Sequence, residues 1–307
     1  MTSANLPEAL VNAISTKPEW TAKPIKAEIV HGGITNSNYK LWIGGEGPIF
    51  AKVPGPGTEK FINRTTANQA ATQAHAVGIS PAVLHFDIET GIEFAQFVED
   101  GYRAATTLDF QNESFCHSVM ETYRAWHTTD RLSETKTMVD MVEEHLSQVR
   151  DENIALPHWS TDVLNNYELA VNAFMKDGLE LVPAHNDPMP GNFLLGPGGD
   201  VKLIDFDYAA NNEASYELGL ILAEMFVDVE RSRDLVQVYR GEHDERFFAR
   251  AMLSRMIADT KWGLWGLINN HARDVDFDYY KYGTWKLYRT FWVSRRDEYS
   301  FWLEAAK

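Results

Sequence analysis

A single cysteine, Cys116, stands in 307 residues. No internal disulfide is therefore possible, which fits a reducing compartment, and within SFCHSVM the residue reads as a small core side chain rather than a nucleophile. Basic residues are few: 28 Lys and Arg against 44 Asp and Glu give a formal net charge of −16. Nucleic acids and anionic membranes are bound through clustered Lys and Arg, so this balance argues against both partners and suits a small cationic ligand. Long apolar runs are missing too. No segment approaches the roughly 20 apolar residues of a membrane span, and MTSANLPEAL has neither the basic nor the apolar part of an export signal. The expectation is a soluble, cytoplasmic protein. Repeats, low-complexity tracts and heptad seams are likewise absent. What remains is a 44% hydrophobic, 12% aromatic chain, an ordinary globular balance with length for one large domain or two lobes. Oligomeric state is not legible.

The texture of the chain changes near residue 97. Before it stand short β-like runs, IKAEIV, NYKLWI, PIFAKV and IEFAQFV, broken by Gly and Pro, with one helix-like stretch from about Ile62 to Val77. After it, helical patterns run over Thr107 to Trp126, Lys136 to Arg150, Thr161 to Met175, Ser215 to Glu230, Glu245 to Ile268 and Tyr279 to Trp302. The expected fold class is α+β: a small β-rich lobe over residues 1–97, and a larger, mainly helical lobe over 98–307 that also holds two short strands around GPGGD.

Those strands belong to AHNDPMPGNFLLGPGGDVKLIDFD, residues 184–207, whose polar positions folding alone does not explain. Asp187 and Asn192 are five apart on a loop, and Asp205 ends the next strand. Phosphoryl transfer needs an acceptor that orients a hydroxyl and takes its proton, together with oxygen ligands for Mg²⁺. Singly, each residue reads as a turn cap or a strand end; together, at one end of a hairpin, they fit that chemistry. Upstream, HGGITNSN is a Gly-containing turn whose backbone can approach phosphates. PIFAKV then sets Lys52 late in a strand, where it is either a surface lysine or a phosphate ligand. Gly turn, strand lysine, helix, strands, HND loop and DFD follow one another in the serial order of a protein-kinase-like fold.

HNDPMPGN and IDFDYA resemble the catalytic signature of the choline/ethanolamine kinase family, in the aminoglycoside-phosphotransferase-like branch of the kinase superfamily. The resemblance spans nearly the whole chain: GGITN (32–36), GTEKFINR (57–64), GISP (78–81), FVED (97–100) and YELGLILAEM (216–225) each look like family segments. It implies a bilobal kinase-like fold and ATP and Mg²⁺ as cofactors. For the nucleotide it implies Gly32, Gly33, Thr35, Asn36, Lys52, Gln96 and Val98; for catalysis, Asp187 as base; for the metal, Asn192 and Asp205. Glu224 matches the family's amine-facing carboxylate and Tyr208 a pocket position. DFD in place of DFG, with no APE-type segment, separates the chain from protein kinases. Two departures stand out. Ala67 occupies the place of the glutamate that pairs with the strand lysine, leaving Glu59 or Asn68 as substitutes or Lys52 to rely on phosphate alone, and Met189 replaces a Gln found in eukaryotic choline kinases.

Thirteen of the 41 residues from Trp262 to Trp302 are aromatic. Trp262 and Trp265 share a helix face, as do Tyr279 and Tyr282, and Gly263 and Gly266 are expected to leave room beside the first pair. Such stripes are usually core. The resemblance makes them a pocket for a quaternary ammonium, which has no N–H to donate and is recognised by π faces and a carboxylate. The expected function is ATP-dependent phosphorylation of choline. The alternatives are ethanolamine, another amino alcohol or an aminoglycoside as substrate, or a catalytically dead kinase-like binding module.

Overall fold

The computed structural model describes residues 6–31, 36–58, 62–272 and 276–307. The chain divides into two compact units, Met1–Ala105 with Gly191–Ala209, and Thr106–Pro190 with Ala210–Lys307.

The first unit is built on an antiparallel five-stranded sheet in the order β1–β2–β3–β5–β4 (β1 Ile25–Val30, β2 Ser37–Ile43, β3 Glu46–Val53, β4 Val83–Asp87, β5 Ile92–Gln96). Alternation decides its faces. Tyr39, Leu41 and Ile43 of β2, Ile49 and Ala51 of β3, and Ile92 and Phe94 of β5 pack with Leu10, Ala13 and Ile14 of α1 (Glu8–Ser15) and with Trp20. Residues one position off, Lys52 among them, project from the opposite face. Helix α2 (Arg64–Ala76) starts at Asn63, whose side chain accepts the Thr66 N–H, and packs beside β4. A small sheet joins β6 (Arg103–Ala104) to the hairpin of β8 (Phe193–Leu195) and β9 (Val201–Leu203). The hairpin strands, expected inside the helical part, thus group with the β-rich unit: the Leu203 N–H donates to Ile79 and the Lys202 ammonium to Gly78 O.

The second unit is helical, with one short ladder of β7 (Leu181–Ala184) and β10 (Ala210–Glu213). Helices α3 (Glu113–His127), α4 (Met138–Asp151), α5 (Ser160–Phe174), α6 (Ala214–Met225) and α7 (Val229–Arg240) precede α8 (Glu245–Ala272). α8 is buried on most of its circumference, as expected for a central helix. α6, α4, α5 and α9 (Tyr279–Arg289) pack on it. Thr107 to Trp126 divides at Asn112 into a 3-10 turn (Thr107–Gln111) and α3, and two further expected helices are shorter than their patterns. Ser215 to Glu230 breaks because Phe226 takes a left-handed conformation (φ 55°) and Asp228 caps a new helix. Tyr279 to Trp302 breaks after Arg289 into α9, α10 (Phe291–Ser294) and α11 (Tyr299–Ala305). Cys116 is buried as expected, its thiol on Phe110 O at 3.2 Å and its pKa pushed up by burial. Among the described residues, no helix is long and apolar enough to cross a membrane.

Candidate active site

On β3, Ala51 faces the core, so Lys52 points to the other side, and it is 5% exposed. Its ammonium lies 2.9 Å from Asp205 Oδ1, 2.6 Å from Asp207 Oδ1 and 3.7 Å from Glu93 Oε2. Burial alone would lower its pKa; the three carboxylates more than reverse this and hold it well above the usual lysine value. Three carboxylates share one cation, and burial pushes both Glu93 and Asp207 up from the ordinary carboxylate range. The second aspartate of DFD is thus part of the constellation, although sequence reasoning used only the first. Its signal was the motif itself.

Asp205 sits at φ 65°, a left-handed conformation uncommon outside glycine. The β8–β9 register pairs Phe193 with Leu203, and the Ile204 N–H donates to Asn192 O at 3.0 Å. Asn192 and Asp205 therefore stand at the same end of the hairpin. Asn36 donates from its side chain to Asp207 Oδ2 at 3.1 Å. Gln96 is the exposed last residue of β5, and Val98 follows it, half-buried. Gly32, Gly33 and Thr35 lie outside the described residues, as does Glu59. Ala67 is buried on α2 at 4% exposure. Tyr208 is half-buried just after the DFD.

In the second unit Asp187 follows His185 and Asn186, both fully buried, with Asn186 at φ 64°. The buried Glu217 of α6 holds this loop by its main chain, accepting the N–H groups of His185 and Asn186 at 2.7 Å each. It also faces His127 Nε2 at 3.2 Å, and the other ring nitrogen of that histidine meets the Tyr239 hydroxyl. Asn212 donates to the Asn186 side chain at 2.9 Å, and the Asp187 N–H donates to His185 Nδ1 at 3.2 Å. Glu217 escaped sequence reasoning. Its signal was a second carboxylate in the largely apolar run YELGLILAEM.

The four aromatics of α8 and α9 form one edge-to-face cluster, with Trp265 centroids 5.5 Å from Trp262, 5.6 Å from Tyr279 and 5.8 Å from Tyr282. They are not equivalent. Trp262 and Tyr279 are 6% and 1% exposed and pack as core, whereas Trp265 and Tyr282 keep accessible surface. The Trp262 ring is covered by the Lys261 ammonium, 3.0 Å from its centroid. Burial brings that lysine down to about 7, with Asp187 pulling the other way. Gly263 and Gly266 leave no open room. A Cβ on Gly266 would meet Gly283 Cα at 2.6 Å, and one on Gly263 would meet Leu287 at 2.6 Å, so these glycines let α9 approach α8.

Glu224, expected to be a carboxylate facing an amine, is bound by Lys286 and by Arg289 Nη2 at 2.8 Å. Burial would raise its pKa, but these two cations bring it below the ordinary range. Asp259 accepts from Arg289 Nε at 2.6 Å, so two anions meet two cations there. Helix α9 brings its own cations to the carboxylate, and spacing within α6 carries no sign of them. The Tyr282 hydroxyl is raised well above its usual pKa by burial, then by the charges of Glu224 and Asp187.

The sequence profile of choline/ethanolamine kinases matches residues 27–246. The chain belongs to the choline/ethanolamine kinase family. As a member it is a phosphotransferase acting on an alcohol hydroxyl. It is 22% identical to "Probable choline kinase 1" of Arabidopsis thaliana, over 86% of this chain and 85% of that one. It is also 22% identical to "Ethanolamine kinase 2" of Rattus norvegicus, over 90% and 78%. The fold matches the crystal structure of a choline/ethanolamine kinase family protein from Mesorhizobium loti with a TM-score of 0.82, at 24% identity and covering 97% and 98% of the two chains. Around Lys52 three carboxylates and one ammonium leave a formal charge of −2. Asn192 and Asp205 contribute amide and carboxylate oxygens, the hard donors Mg²⁺ takes, and a divalent cation would balance that charge.

Proposed function

We propose that the chain is an ATP- and Mg²⁺-dependent kinase that phosphorylates the hydroxyl of choline. In this reading Lys52 meets the nucleotide phosphates, Asn192 and Asp205 hold Mg²⁺, and the metal supplies charge neutralisation on the transferring phosphoryl group. Residues 1–97 would serve the nucleotide and residues 98–307 catalysis and the amine. Asp187 would accept the proton of the hydroxyl, on a loop that Glu217 fixes through two main-chain N–H groups.

The choice of choline is supported by one observation: the carboxylate next to the aromatic cluster, Glu224, already has its charge met by Lys286 and Arg289, both on Oε1. A primary ammonium carries three N–H donors and needs acceptors, whereas a trimethylammonium needs only desolvated π faces, and Trp265 and Tyr282 have surface to offer. An ADP-release assay over choline, ethanolamine, other amino alcohols and aminoglycosides tests this. Choline should show the highest kcat/KM, and Trp265→Ala should raise the choline KM about tenfold with less effect on ethanolamine. Preference for ethanolamine would remove the choline assignment and leave the kinase. No turnover with any alcohol would leave a binding module.

A further inference from the structure

We propose that Glu93, on β5, is the positioning carboxylate of Lys52, doing from a sheet strand what the kinase fold assigns to a helix glutamate. The inference rests on the kinase reading above and adds a residue to it. Helix α2, RTTANQAATQAHA, contains no acidic side chain, and its position 67 is a buried alanine. Lys52 and Glu93 are direct partners in the β3–β5 register, so their side chains project from the same face of the sheet. The ammonium and the carboxylate are 3.7 Å apart, with side-chain exposures of 6% and 15%. The other two carboxylates on Lys52, Asp205 and Asp207, stand on the loop after β9, and Asp205 is the one assigned to the metal. When its oxygens serve Mg²⁺, Glu93 remains on the lysine, because hydrogen bonds of neighbouring strands hold the two backbones in place.

This location has a regulatory consequence. In protein kinases the lysine–glutamate pair is made and broken by movement of the helix that carries the glutamate. Here both partners belong to one ladder of hydrogen bonds, so Lys52 is set whether or not α2 moves, and that route of switching is closed.

The experiment is Glu93→Gln, which keeps the shape and removes the charge, assayed for the KM of ATP, the KM of the amine, kcat and the affinity for Mg·ATP by calorimetry. ATP KM and calorimetric Kd should each rise about tenfold while the amine KM stays within about twofold, and Glu93→Asp should fall between. A pair that merely steadied the sheet would lower the unfolding temperature without separating the two KM values. If Glu93→Gln fails to fold, Glu93→Asp decides alone: an ATP KM equal to wild type overturns the proposal. Unchanged ATP parameters in an active Glu93→Gln enzyme overturn it too and leave the kinase reading intact. A wild-type protein that turns over no alcohol fails the kinase reading instead; calorimetry then judges Glu93, and absent or unaltered ATP binding counts against it.

Discussion

At the scale of single residues, the chemistry rests on charges placed where water cannot easily screen them. For the half-buried Asp187, if it takes the hydroxyl proton, Asp187→Asn lowers kcat by roughly 10²-fold or more with little change in ATP affinity, as single-turnover kinetics and nucleotide binding would show. Lys261 makes a second case. It covers the Trp262 ring and titrates at about 7, because burial disfavours its charged form. Below that pH a charged Lys261 would repel a cationic amine bound beside Trp265; above it, the repulsion would fade. Choline is charged at every pH, so its own titration is excluded, and its KM should fall between pH 6 and pH 8.5 by roughly tenfold if the lysine lies a few ångströms from the bound amine. Lys261→Met should flatten the profile. A slope that survives the substitution would assign it to another group.

At the scale of elements, the aromatic cluster depends on how closely two helices approach. Gly283 of α9 lies against Gly263 and Gly266 of α8, where a Cβ on Gly283 would meet Gly263 O at 2.7 Å. Gly266→Ala should push the helices apart at about 1–3 kcal/mol, the usual cost of overpacking. Because Trp265 and Tyr282 flank the crossing, the same change should raise the choline KM and leave the ATP KM alone. Thermal unfolding together with steady-state kinetics checks both. An unaltered amine KM in a destabilised protein would mean that the crossing supports the helices and not the pocket.

At the scale of the whole molecule, acid should act through a buried histidine of the helical unit. His145, 5% exposed on α4, is held near a pKa of about 3 by burial and then by Lys261 and Lys136. Its folded-state pKa lies below the usual 6.5, so the unfolded chain binds a proton first as pH falls. Stability present above 6.5 is therefore lost progressively toward 3, by at most about 1.4 kcal/mol per pH unit. Urea unfolding at pH 7, 6 and 5 should show the decline, and His145→Leu should lessen it while raising stability, since both ring nitrogens are buried without hydrogen-bond partners. An equally steep decline in the variant would place the acid sensitivity elsewhere.

Local chemistry was legible along the chain wherever neighbours in sequence are neighbours in space. Four strand runs, the α+β class, the hairpin end shared by Asn192 and Asp205, and the family itself could be read from IKAEIV, PIFAKV, HNDPMPGN and IDFDYA, because β alternation and turn chemistry are short-range. Helix patterns were right in kind and too long where Phe226 and Thr290 interrupt them, since apolar periodicity continues across a break that backbone conformation makes. What lay beyond reach were partners distant in sequence. Glu93 meets Lys52 only through strand register, Glu217 meets the loop of His185 and Asn186 only through the placement of α6, and Lys286 and Arg289 reach Glu224 only because α9 packs on α8. Burial then decides how strongly such charges act, and it arises only when the elements pack together.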